Sequence, residues 1–157
     1  MKRRDFIFTS SVGLATLVFN GPRGTLYATA STVTVFKDRT CSCCNGWIEH
    51  LKANAFQVST QEVENSELRA IKDKYGIPST LQACHTGTVD EYVIEGHVPA
   101  AEIRRLLMER PKAIGLVVPG MPVGSPGMEG TRNEKYSVLL FDESGRTSVY
   151  QEYNPER

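Results

Sequence analysis

The chain has no excess of either charge: 18 Lys and Arg against 18 Asp and Glu give a formal net charge of +0. A protein that binds nucleic acid needs a basic surface to displace counterions, so this balance argues against nucleic acid as a partner. Long apolar runs are also scarce. The main candidate, Phe6 to Phe19, is interrupted by Thr9, Ser10, Ser11, Gly13 and Thr16, and it is short for a bilayer span of about 20 residues. No permanent membrane anchor is expected. Nothing marks a linker or a second domain, and residues 31–157 suit one domain with one hydrophobic core. Cysteine is sparse too, with four in 157 residues, yet three of them fall within four consecutive positions.

The N-terminus reads as an export signal. Lys2-Arg3-Arg4 gives a basic start, the Phe6–Phe19 stretch is mostly apolar, and Ala28-Thr29-Ala30 is a small-x-small cleavage pattern, so cleavage is expected after Ala30. The arginine pair followed by Asp5-Phe6-Ile7 resembles a twin-arginine signal, which exports folded proteins. An ordinary secretory signal with a chance arginine pair is the other reading. Both end outside the cytoplasm, and a periplasmic location is expected. Loss of Lys2, Arg3, Arg4, Arg23 and Asp5 leaves 14 basic against 17 acidic residues.

Cys41-Ser42-Cys43-Cys44 follows the strand-like run Val33-Thr34-Val35-Phe36 and precedes a helix-like stretch with Trp47, Ile48 and Leu51 on one face. A helix N-terminus stabilises thiolates. Cys41 and Cys44 form a Cys-x-x-Cys pair of the redox type, while Cys43 supplies a sulfur that dithiol chemistry does not need. Cys84, followed at once by His85, brings a sulfur and an imidazole from a distant part of the chain. Outside the cytoplasm, four cysteines also admit two structural disulfides. Adjacent Cys43 and Cys44 can hardly bridge each other without strain, whereas Cys41 with Cys44, or one of the three with Cys84, is feasible.

The order of elements is strand, helix, strand (Phe56–Val63), helix (Ser66, as a candidate cap, to Tyr75), then Gly76-Ile77-Pro78, a strand at Tyr92–Glu95, and a helix opening at Val98-Pro99. This resembles a thioredoxin-like α/β fold, a βαβ-ββα core. The resemblance implies a cis Pro78 beside the cysteine turn, while Ser42-Cys43 in place of the usual motif interior departs from that pattern. Tyr136–Asp142 and Arg146–Tyr150 around Glu143-Ser144-Gly145 read as a C-terminal β-hairpin extension. A fully extended Ser79–His85 would carry Cys84 about 20 Å from Pro78 at roughly 3.3 Å per residue, so Ser79–Cys84 is expected to be a loop or short turn. The Gly/Pro-rich stretch from Val117 to Gly130 holds Pro-Gly-Met twice, placing Met121 and Met128 as ligands or as fillers of irregular gaps.

Thiols, imidazoles and thioethers together match the soft-donor preference of Cu(I), and closely spaced cysteines can bridge several ions into a multinuclear cluster. Zinc is the competing metal, since three cysteines and a histidine make a tetrahedral site, but the spacing is not that of a finger or ribbon and Met is not a usual zinc ligand. His97, in Glu95-Gly96-His97-Val98-Pro99, is a ligand or a turn residue. His50 is expected to face solvent, and Trp47 to pack rather than react. A thiol–disulfide oxidoreductase using Cys41 and Cys44 is the alternative function.

Cys-Ser-Cys-Cys with a following Trp, Ala83-Cys84-His85-Thr86, Tyr92 to Ala100, and Val118-Pro119-Gly120-Met121-Pro122 with Gly124-Ser125-Pro126-Gly127-Met128-Glu129 resemble the DUF411 family, the CopG-type copper-resistance proteins of bacteria. The likeness covers nearly all of residues 31–157. It implies an exported thioredoxin-like copper-binding protein, proposed for such proteins to be a copper oxidoreductase, with other periplasmic copper-handling proteins as partners. By match, Cys41, Cys43, Cys44, Cys84 and His85 carry the metal site, with His97, Met121 and Met128 behind them.

Overall fold

Val33, Val35 and Lys37 turn inward while their neighbours are more open, and this alternation makes Thr32–Asp38 a strand, β1. In the computed structural model, which describes residues 31–154, it is followed by α1 (Ser42–Ala53), β2 (Gln57–Val63), α2 (Asn65–Lys74), β3 (His85–Val89), β4 (Tyr92–Glu95), α3 (Ala100–Glu109), β5 (Gly115–Val117), β6 (Tyr136–Phe141) and β7 (Thr147–Tyr153). The chain is therefore a mixed α/β protein. The export-signal reading falls on residues 1–30 and lies outside the described residues. No helix among the described residues is long and apolar enough to cross a membrane.

The strands form one sheet in the order β2-β1-β3-β4-β5-β6-β7. β1 runs parallel to β2 and antiparallel to β3, β3 antiparallel to β4, and β4 parallel to β5. These directions place the ends of β1, β4 and β5 and the start of β3 at one end of the sheet. The cysteine turn, Cys84-His85, Gly96-His97 and the Gly/Pro-rich segment all emerge there, so strand direction alone gathers residues far apart in sequence. The β6–β7 hairpin extends the sheet as expected.

Trp47, Ile48 and Leu51 of α1 and Ile103 and Leu106 of α3 pack on Val33, Val35, Ile94 and Leu116 as one apolar layer. Ile77, Leu81, Val93, Val117 and Phe141 form a second on the opposite sheet face. Ser79–Cys84 is a loop, opened by a turn in which the Leu81 N–H donates to the Pro78 carbonyl at 2.8 Å. Cys84 thus reaches the mouth of the sheet next to the first residue of β3.

Three local expectations are corrected. No described peptide bond is cis, and Pro78 lies against the Gly145 turn of the β6–β7 hairpin, at the end of the sheet away from the cysteines. Ser66 is not the cap of α2: Glu64 holds that position without a side-chain bond, and Ser66 lies inside the helix. Val117, read as the start of the Gly/Pro-rich segment, is the last residue of β5, a three-residue strand buried throughout.

Candidate metal centre

Cys41 is the N-cap of α1, in extended conformation and with no side-chain cap bond, so Cys43 and Cys44 occupy the first turn. No acidic residue shares that turn, and the helix start presents unpaired backbone N–H groups there. Cys41 and Cys44 are joined in a disulfide with their Cα atoms 5.5 Å apart, and Cys43 and Cys84 are free. Cys43 Sγ lies 3.6 Å from Cys41 Sγ and 3.9 Å from Cys84 Sγ, and Cys44 Sγ lies 3.5 Å from Cys84 Sγ. Four sulfurs thus stand within 4.8 Å of one another, with Cys44 buried and the other three partly open.

Cys84 is also the hinge to a second set of donors. Its Sγ is 3.4 Å from His85 Nδ1 and 3.4 Å from His97 Nε2. Burial, then the neighbouring Cys43, pushes the Cys84 thiol up to about 12, so in the metal-free state it is held as a thiol. His85 is fully buried, its ring centroid 4.3 Å from that of Trp47 with the two planes tilted by 32°, and its Nε2 has no hydrogen-bond partner among the described residues. Burial, followed by the nearby His97 and Lys72, holds the His85 imidazole well below its usual range. A neutral imidazole with a lone pair beside a thiol is chemically able to take a metal ion. Burial likewise lowers His97.

The segment after β5 folds over this end of the sheet. A Cβ on Gly46 would stand 2.8 Å from Gly127 Cα, and one on Gly127, whose φ is +82°, would meet Trp47 N at 2.5 Å and the Cys43 carbonyl at 2.8 Å. Two glycines therefore let the loop lie directly on the first turn of α1. From that seat the Pro126 carbonyl accepts a bond from His97 Nδ1 at 2.7 Å. Met121, half exposed, brings its Sδ to 3.8 Å from Cys43 Sγ. Glu129 closes the turn by accepting the Gly127 N–H at 2.8 Å.

Of the residues singled out by sequence, Cys41, Cys43, Cys44, Cys84, His85, His97 and Met121 converge on one place. Met128 enters through its backbone, which bonds Ser125 and Gly124. Trp47 packs as expected, and its Nε1–H donates to the Val98 carbonyl at 2.7 Å. His50 does not simply face solvent: its Nε2 accepts the Ala100 N–H at 3.0 Å, capping α3. Sequence reasoning also missed Glu95 and Lys72, a fully enclosed ion pair at 2.5 Å just behind Cys84. The one signal was a carboxylate closing the apolar strand Tyr92-Val93-Ile94.

Soft sulfur donors with two imidazole nitrogens each 3.4 Å from Cys84 Sγ fit a thiophilic metal ion. The reduced form of Cys41 and Cys44 is the one that offers all four thiolates. Comparison with curated proteins gives no match. The family described as a protein of unknown function, DUF411, matches residues 81–128. A solved structure of copper resistance protein CopG, Form 2, is 47% identical, with a TM-score of 0.73, covering 79% of this chain and 98% of that one. Form 1 is 45% identical, with the same TM-score and the same coverage. Identity at that level over nearly the whole of those chains, together with the Cys-rich centre, shows that this chain belongs to the DUF411 family of CopG copper-resistance proteins.

Proposed function

We propose that the protein binds Cu(I) through Cys41, Cys43, Cys44 and Cys84, with His85, His97 and Met121 completing a centre that holds more than one ion, and that it serves copper resistance in the periplasm. The observation carrying this reading is the convergence of four cysteine sulfurs within 4.8 Å at one end of the sheet, with a thioether sulfur 3.8 Å from Cys43. Thiolate and thioether select Cu(I), and one thiolate can bridge two ions. Zinc suits the Cys and His members but not Met121. Met128 is a reserve ligand. The strand order β2-β1-β3-β4, with β3 reversed, supports the thioredoxin-like reading of the core. Export with removal of residues 1–30 leaves one domain, residues 31–157, and the ion is cargo exchanged with other periplasmic copper-handling proteins.

Cycling of the bound ion between Cu(I) and Cu(II), with one electron passing to or from an external partner, belongs to this copper reading. The Cys41–Cys44 disulfide favours a second reading, thiol–disulfide exchange at Cys41 and Cys44. Opening that bond takes two electrons and two protons from an external dithiol, which becomes a disulfide. An anaerobic Cu(I) titration of the reduced protein against a competing chelator separates the two. Several ions held per chain, and lost on Cys43→Ser or Cys84→Ser, support the copper centre. Weak copper binding together with rapid insulin reduction that survives Cys84→Ala supports dithiol chemistry.

A further inference from the structure

We infer that Glu95 is a positioning residue, a buried carboxylate clamp that fixes Cys84 and His85 at the sulfur cluster. This rests on the copper-centre reading for its purpose, though not for its geometry. Cys84 and His85 are bracketed by Ala83 and Thr86, and the Glu95 carboxylate bonds both brackets. Its Oε1 accepts the Ala83 N–H at 2.5 Å, and its Oε2 accepts the Thr86 hydroxyl at 2.7 Å. Two ligands are thus pinned from both sides by a single side chain.

The clamp is itself held. Lys72 Nζ, reaching from α2, donates to Glu95 Oε1 at 2.5 Å and to Thr86 Oγ1 at 2.9 Å. The Lys72 side chain is 4% exposed and that of Glu95 0%. An enclosed carboxylate with three donors, one of them its counter-charge Lys72, is held by bonds of the strong charge-assisted kind. Gly96, next in sequence, has φ +74°, and a Cβ there would stand 2.9 Å from Ala83 Cβ and 2.7 Å from the Val118 carbonyl. The loop before Cys84 therefore lies flush on the turn that carries His97. Replacing this ion pair with apolar residues would be neutral or favourable for stability in many folds. Its location, bonded to both residues that flank the Cys84-His85 pair, gives it a use that stability does not supply.

The clamp is tested first without metal. In a Cys43→Ser background with Cys41 and Cys44 bridged, Cys84 is the one free thiol, and its alkylation rate reports how firmly it is held. Glu95→Gln and Thr86→Val should each raise that rate about tenfold or more, the scale of losing a bond to a charged group. Thr86→Val changes no charge, so its rise reports release of the loop. Leu106→Ala, which opens the opposite apolar layer, is the control for general loosening. Rates for both clamp variants no higher than that of Leu106→Ala overturn the inference. With Cys43 restored and the protein reduced, Glu95→Gln should weaken Cu(I) retention against a chelator about 10- to 100-fold, as loss of outer-shell support does. In a Cys84→Ser background, where His85 alone is left to be held, the same change should lower the residual retention by a smaller factor; equal losses in both backgrounds overturn the inference. A parent protein that fails to hold copper removes the copper reading, while the alkylation rates still decide the clamp.

Discussion

His97 Nδ1 lies 2.7 Å from the carbonyl oxygen of Pro126, and that bond decides which nitrogen faces Cys84. A carbonyl only accepts, so Nδ1 carries the proton and Nε2, 3.4 Å from Cys84 Sγ, presents its lone pair. The Gly/Pro-rich loop thereby sets the tautomer of an imidazole on another element.

His97→Gln removes that preset donor. Retention of Cu(I) against a chelator should fall about tenfold or more, at least the scale of losing outer-shell support. His50→Gln, which alters a helix cap away from the sulfurs, should leave copper retention unchanged in the same titration.

Gly127→Ala should unseat the loop. The new Cβ meets Trp47 N and the Cys43 carbonyl, and φ is +82°, a combination that costs about 1–3 kcal/mol in strain or displaces the segment. Thermal unfolding should show a lower Tm, and copper retention should fall with it because the Pro126 carbonyl moves away from His97.

The oxidation state of Cys41 and Cys44 should gate capacity. With the disulfide closed, two of the four thiolates are withdrawn, so protein treated with a dithiol reductant should hold more Cu(I) per chain than untreated protein. A Cys41→Ser variant should show no such dependence on reductant. Equilibrium dialysis with and without pretreatment measures it.

Stability should depend on pH through His50. Burial, assisted by Arg104 and opposed by Glu129, lowers its pKa from the usual 6.5. The unfolded chain therefore binds the proton more readily than the folded one. The stability this group contributes is fully present above about pH 6.5 and is lost as pH falls through the folded value, when the ring can no longer accept the Ala100 N–H. His85 and His97 shift in the same direction, so metal-free protein should lose stability from all three. Urea midpoints between pH 7.5 and 5 should fall less steeply for His50→Gln than for the parent.

Local signals made much of this legible. The alternation in β1, the thiol-rich turn, the flexed Ser79–Cys84 segment and the terminal hairpin depend on neighbours in sequence, and each is found. β5 was hidden because three residues buried on every side carry no period. The His50 cap joins residues 50 positions apart, and the Glu95 clamp depends on α2, β3 and β4 meeting, which strand order alone supplies. The expected cis Pro78 came from a fold resemblance; the turn it opens instead faces Gly145. Which cysteines share a centre was readable from spacing only in part. Cys84 joins the others because β3 starts where β1 ends.

X-ray absorption at the copper edge of the reduced, Cu(I)-loaded protein reads the donor set of the bound copper. A cysteine-bridged centre gives a first shell dominated by sulfur, with copper–copper scattering from bridging thiolates. A first shell of nitrogen and oxygen alone would contradict it.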